Sequence, residues 1–218
     1  MGLSLLFFFF EEVCSMFEKV SFEQFLIDYK SKIGSASADY IQEVYDAIKL
    51  PKRSTKYSAG YDFCVPVDMD VQAGIKYLVP TGIKCNLGKI YDKNQPMFCR
   101  VDGTALGVPN PDNEYRLSVN TNTTYCENTI PYLALYPRSS YGIKYGFKIN
   151  NTVGIIDQDY YNNEDNEGHI YVSFITDKDI KIKAGDKFCQ GIICYTTYFL
   201  DEIPVEEIRS GGIGSTSK

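Results

Sequence analysis

The stretch Tyr136-Pro137-Arg138-Ser139-Ser140-Tyr141-Gly142 ends an apolar run on a guanidinium and two hydroxyls at a turn. Such a corner suits a phosphate chain, because arginine supplies forked charged donors and serine short ones. A plain surface turn uses the same residue types. Further along, Asn151-Thr152-Val153-Gly154-Ile155-Ile156-Asp157-Gln158-Asp159-Tyr160 reads as an apolar strand closing on two carboxylates one residue apart, which strand geometry would put on one side. Asp157, directly behind Val-Gly-Ile-Ile, stands at the edge of an apolar wall, where a general base can work. Asp159 suits a turn equally well, and a turn role accounts for either carboxylate taken singly. In Gly185-Asp186-Lys187-Phe188-Cys189-Gln190-Gly191 a hairpin turn at Gly185-Asp186 precedes a strand carrying Gln190, a residue type that ordinarily faces solvent there. The tail Arg209-Ser210-Gly211-Gly212-Ile213-Gly214-Ser215-Thr216 has the composition of a linker. Its glycines also let backbone N–H groups wrap an anion while Arg209, Ser215 and Thr216 donate further bonds.

These pieces need a scaffold, and the chain spells one out in short strands. Runs at Gly60 to Val67, Tyr77 to Asn86, Arg116 to Val119, Tyr132 to Tyr136, Phe147 to Ile156, Ile170 to Ile175 and Phe188 to Leu200 are separated by Gly, Pro, Asn and Asp. No helical period intervenes, so a sandwich, jelly roll or barrel is expected and a doubly wound nucleotide fold is excluded. Ahead of Pro51 the pattern is helical. Ser21 with Gln24 forms a capping-box pair before Phe22, Phe25, Leu26 and Tyr29, and Asp39 can cap a second helix carrying Ile41, Val44, Tyr45 and Ile48. The expected organisation is a mostly helical extension at 1–50 and a β domain at 51–218. Within the latter, a polar excursion at about 87–130 looks like an insertion, and 209–218 like a flexible arm.

The net charge of -6 supplies no positive field for nucleic acid or an anionic membrane, so a phosphate ligand must be caught locally. Seven cysteines, an odd number without a C-x-x-C pair, fit a reducing cytosol better than a zinc ribbon or redox motif, and a cytoplasmic location is expected. The apolar start Met1 to Phe10 lacks a basic flank and a cleavage site, and is too short to cross a bilayer. It reads as a buried segment or as sequence ahead of a start near Met16. His169, the single histidine, is expected at the surface where a strand begins.

Together with Ser58-Ala59-Gly60-Tyr61-Asp62-Phe63, the four stretches resemble, in order, the five motifs of the homotrimeric dUTPase family. The resemblance spans about Leu50 to Lys218, interrupted by the 87–130 excursion. It implies an all-β, jelly-roll-like subunit with the helical prefix added, assembled as a trimer with shared active sites. It also implies hydrolysis of dUTP to dUMP and pyrophosphate with Mg²⁺ as cofactor. Asp62 matches the aspartate that positions the metal through water; Arg138, Ser139, Ser140 and Gln190 match phosphate contacts. Asn151, Gly154 and Ile155 match the uracil-reading hairpin, and Tyr160 the tyrosine under the deoxyribose. Asp157 matches the base that activates the attacking water. Arg209, Ile213, Gly214, Ser215 and Thr216 match the closing arm, with Ile213 standing where the family usually has an aromatic residue. The hairpin's continuation, Tyr161 to His169, is longer than usual and is expected to be solvated. A dCTP deaminase shares the fold but looks to need a glutamate where this hairpin offers Asp157 and Asp159. The 87–130 insertion leaves open engagement of a regulatory protein partner.

Overall fold

The computed structural model describes residues 16–90, 129–197 and Gly211. The predicted strand at Arg116 to Val119, most of the 87–130 excursion, the apolar start and the arm residues Arg209, Ile213, Gly214, Ser215 and Thr216 lie outside the described residues.

The described chain opens with strand β1 (Phe17–Lys19) and two helices, α1 (Phe22–Lys32) and α2 (Ala38–Ala47). Ser21 caps α1 by accepting from the Gln24 N–H at 3.1 Å. The reciprocal half of the expected capping box does not form, because the Ser21 N–H donates to Glu167 instead and the Gln24 side chain turns to Asp28. Ser37, rather than the expected Asp39, caps α2; Asp39 sits one residue inside the first turn, where its charge still favours the helix N-terminus. Phe25, Tyr29, Ile41 and Val44 pack as a small second core with Val20 and Val67.

The strands follow: β2 (Lys52–Arg53), β3 (Gly60–Cys64), β4 (Met69–Val71), β5 (Tyr77–Pro80), β6 (Ile83–Cys85), β7 (Thr129–Pro137), β8 (Lys148–Ile149), β9 (Gly154–Ile156), β10 (Tyr171–Ile175), β11 (Ile180–Ile182) and β12 (Lys187–Thr197). One short helix, α3 (Ser139–Tyr145), lies between β7 and β8. The pairings among the described residues are antiparallel, in the sheet orders β2-β3-β12-β7-β9, β5-β10-β8, β1-β6 and β11-β4. This is the expected all-β, jelly-roll-like architecture with a helical prefix. Its core is aromatic, with Phe147 stacked on Phe174 at 4.4 Å and both edge-on to Phe188. Burying each such ring contributes on the order of 1.5–3 kcal/mol.

The strand boundaries differ from the expected ones for local reasons. The run Tyr77 to Asn86 breaks into β5 and β6 at Gly82, whose φ of +75° no ordinary strand residue holds. The run Phe147 to Ile156 breaks at Asn150–Val153, where Thr152 adopts φ +65°. Pro137 ends β7, but the chain behind it winds into α3 rather than a simple turn. Strands β1, β2, β4 and β11, two or three residues each, are too short to carry an alternating pattern. Among the described residues, no helix is long and apolar enough to cross a membrane.

Candidate active site

The broken strand builds a pocket. Between β8 and β9 the Thr152 N–H donates to the Ile149 carbonyl at 3.0 Å, which tightens the reversal, and Asn150 bonds Ser173 of β10 through its side chain. Strand β9 then lies against β7, with Gly154 opposite Leu135. A side chain at Gly154 would come within 3.2 Å of Leu135 Cβ, so glycine permits this close pairing. The result is a cleft of about 390 Å³ lined by Asn151, Gly154, Ile155 and Tyr160, facing Leu78, Tyr171 and Ser173. Four of the predicted site residues therefore line one cleft of a size suited to a nucleoside. Ile155 is 48% exposed at its rim.

Tyr160 is held rigidly. Its hydroxyl donates to the His169 carbonyl at 2.9 Å and accepts from Asn166 Nδ2 at 2.8 Å. The loop behind it is folded inward and not fully solvated as expected. Asn163 and Asn166 are buried and bond the loop's own backbone, while Glu164 and Asp165 face solvent. Gly168 closes the loop at φ +78°, where a Cβ would fall 2.5 Å from the Tyr160 carbonyl. His169 corrects the expectation of a surface residue: it is 0% exposed, paired through Nδ1 with Asp28 at 2.6 Å, and accepts the Gly82 N–H on Nε2 at 2.7 Å. A lone histidine looked unlike a site, and its partner carboxylate lies 141 positions away.

Asp157 leaves the strand. It is exposed, and its carbonyl accepts the Tyr160 N–H as the chain enters a single 3-10 turn, Gln158–Tyr160. The alternation that would set Asp157 and Asp159 on one side ends at Ile156, so strand geometry does not relate the two carboxylates.

A second group of residues gathers where β3, β7 and β12 run side by side. Gln190 pairs with Asp62 on one flank and Tyr136 on the other, and its amide reaches the Pro137 carbonyl at 3.4 Å. Arg138 follows at the end of β7, and Ser139 and Ser140 open α3 with exposed side chains. Asp62, only 8% exposed, takes Ser54 Oγ at 2.5 Å and Lys187 Nζ at 3.0 Å, with Arg138 at 3.5 Å. Burial works to raise its pKa, but the bonds from Ser54 and Lys187 and the charge of Arg138 outweigh it and hold the carboxyl below its ordinary value. Lys187 and Ser54 were not foreseen. The basic residue three positions before Gln190 was the available signal for the former.

Strand β7 separates the two groups. Ile156 lies opposite Leu133, five residues from Arg138, or about 17 Å at the usual strand rise, and Gly154 lies opposite Leu135, three residues from Arg138. Among the described residues no cluster of three His, Cys, Asp or Glu side chains could hold an ion by itself. A cation carried by the phosphates, needing from the protein only a water-mediated contact to Asp62, fits the arrangement.

Comparison with known proteins gives the lineage. The family model described as dUTPase matches residues 46–93 and 106–217 of the chain. The chain belongs to the dUTPase family. Its dUTPase relatives include the deoxyuridine 5'-triphosphate nucleotidohydrolase of Lactococcus lactis subsp. lactis, 32% identical over 174 residues that cover 78% of this chain and 88% of that protein. The nucleotidohydrolase of Helicobacter pylori strain P12 is 24% identical over 181 residues, 81% and 94% of the two chains. A crystal structure of dUTPase from Streptococcus mutans, 27% identical, aligns over 86% of this chain and 99% of that one with a TM-score of 0.49.

Proposed function

We propose that the chain hydrolyses dUTP to dUMP and pyrophosphate. The observation that carries this reading is the cleft between β8 and β9, in which Asn151, Gly154, Ile155 and Tyr160 line one cavity of a dUTPase-family chain. In the proposed mechanism Asn151 and the Gly154–Ile155 backbone read uracil, and buried Tyr160 packs under the deoxyribose, leaving no room for a 2′-hydroxyl. Arg138, Ser139, Ser140 and Gln190 bind the phosphates. Asp157 orients a water and takes its proton as the oxygen attacks the α-phosphorus, and the bond to the bridging oxygen breaks to release pyrophosphate. Mg²⁺ bound to the triphosphate supplies charge neutralisation, and Asp62 would hold it through water.

The roughly 17 Å along β7 between Ile156 and Arg138 supports a site shared between subunits. A homotrimer brings one subunit's hairpin to another's Arg138 corner. Arg209, Gly214, Ser215 and Thr216 then close over the phosphates as an arm, and Ile213 covers the base. The enzyme works in the cytoplasm.

Pyrophosphate release from dUTP, dCTP, dTTP and UTP, with and without Mg²⁺, tests the reading. Magnesium-dependent release from dUTP alone is expected, and release of ammonia together with pyrophosphate from dCTP would replace it with a deaminase-coupled activity. Asp157→Asn is expected to bind dUTP yet turn over orders of magnitude more slowly. Near-normal turnover by that variant would remove Asp157 from its role.

A further inference from the structure

Helix α1 lies ahead of the residues matched by the family model, yet it reaches the floor of the nucleotide cleft. Asp28 is the contact. It is 6% exposed on the inner face of α1 and accepts from His169 Nδ1 at 2.6 Å and from Gln24 Nε2 at 2.8 Å. Burial works to raise the Asp28 pKa, and the neighbouring Tyr171 hydroxyl is among the groups that hold it down. Because the Gly82 N–H donates to His169 Nε2, the ring carries its proton on Nδ1 and gives it to Asp28. Each link then leads to the cleft. Tyr171 lines it, and its ring packs on His169 at 4.8 Å between centroids. Tyr160 also lines it, and the Tyr160 hydroxyl is fixed by the carbonyl of that same His169. Asn166 Nδ2 reaches both tyrosine hydroxyls, at 2.8 Å and 3.4 Å.

We propose that Asp28 is a positioning residue for the nucleotide pocket, supplied by the N-terminal prefix, which orients His169 and Tyr171 and through them Tyr160. The inference rests on the reading that this cleft takes the nucleoside of dUTP. The surroundings argue for orientation over mere packing. A carboxylate buried between two donors and against the Tyr171 hydroxyl fixes their directions, whereas an apolar residue of like volume would fill the space and fix none. A second tether holds the same loop to the same helix: Glu167 accepts from both the N–H and the hydroxyl of Ser21, at 2.9 Å and 2.6 Å. With that tether intact, loss of Asp28 is expected to loosen the tyrosines without releasing the loop.

The test uses the full chain and pyrophosphate release from dUTP with Mg²⁺, with thermal melting alongside. Asp28→Ala is expected to raise KM about tenfold with kcat within about twofold of wild type, as loss of pocket geometry predicts. Asp28→Asn retains an acceptor for His169 and is expected to recover most of the KM. A lower melting temperature and lower apparent kcat at unchanged KM would mark Asp28 as structural only and overturn the proposal. If the alanine variant does not accumulate folded, Asp28→Leu carries the test, since it fills the space yet accepts from neither His169 nor Gln24. KM raised about threefold supports the proposal, and wild-type KM overturns it. A wild-type chain that releases no pyrophosphate from dUTP sinks the underlying reading itself, an outcome distinct from an active wild type with an unaffected Asp28→Ala.

Discussion

Tyr160→Phe removes one oxygen from the interior and nothing else. That oxygen donates to the His169 carbonyl at 2.9 Å and accepts from Asn166 Nδ2 at 2.8 Å, in a residue only 4% exposed. Two hydrogen bonds disappear, and no cavity larger than a hydroxyl opens. Each bond is worth about 1 kcal/mol net, and a buried partner left unsatisfied costs up to about 3 kcal/mol. The structure moderates that upper figure, because Asn166 Nδ2 already lies 3.5 Å from the His169 carbonyl and 3.4 Å from Tyr171 Oη and can shift toward either. The expected loss is therefore about 2 kcal/mol, or about 4–8 °C in melting temperature for a chain of this size. Urea unfolding at fixed subunit concentration measures it, with an unchanged m-value showing that the same surface is exposed. Tyr57→Phe is the control: Tyr57 is 87% exposed, its hydroxyl is in water, and a change within about 0.5 kcal/mol is expected. If Tyr160→Phe fell within that same margin, the Tyr160 hydroxyl would not be part of a closed buried network, and the argument for a rigid cleft floor would fail.

Three further outcomes are expected. In Gly60→Ala the new Cβ would lie 2.6 Å from Gln190 Oε1 and 3.1 Å from its Cβ, so Gln190 must turn away. If Gln190 contacts phosphate, kcat/KM for dUTP falls about tenfold while stability changes by less than about 1 kcal/mol, and an unchanged kcat/KM would argue against that contact. Burial works to raise the pKa of Glu167, but the two bonds from Ser21 and the charge of Lys84 prevail and depress it below 4.5. A depressed carboxyl stabilises the fold fully above its unfolded value and less as pH falls through the folded one, so melting temperature should drop on acidification below 4.5. Glu167→Gln should flatten that acid limb, and an identical limb in the variant would show that the Ser21 tether carries no such linkage. Ile213→Phe is expected to tighten dUTP binding several-fold, since a stacked base is worth about 1–3 kcal/mol. An unchanged or higher dissociation constant by calorimetry would exclude Ile213 from the base-covering role.

What could be read ahead of the structure was whatever is written locally. The caps at Ser21, the apolar strand leading to Asp157 and the Gly185-Asp186 turn are patterns of neighbours, and the motif order carried the family. The residues that escaped notice share a different trait: their partners are distant in the chain. Lys187 meets Ser54 across 133 positions, Ser21 meets Glu167 across 146, and His169 meets Asp28 across 141. A single histidine with no second one nearby reads as a surface residue, because periodicity carries no information about a carboxylate waiting on another element. The same reasoning explains the failed pairing of Asp157 and Asp159. Alternation holds only while a strand lasts, and β9 lasts three residues before the chain coils under Tyr160. That early ending has a consequence for the cleft. A strand continued through Asp159 would carry residue 160 onward along β7, whereas the 3-10 turn folds Tyr160 back to 4% exposure beneath its own hairpin. The hairpin alone buries too little to hold a tyrosine there. The loop Tyr161 to Gly168 and helix α1 behind it supply the missing contacts, and so a segment outside the family match is built into the floor of the site.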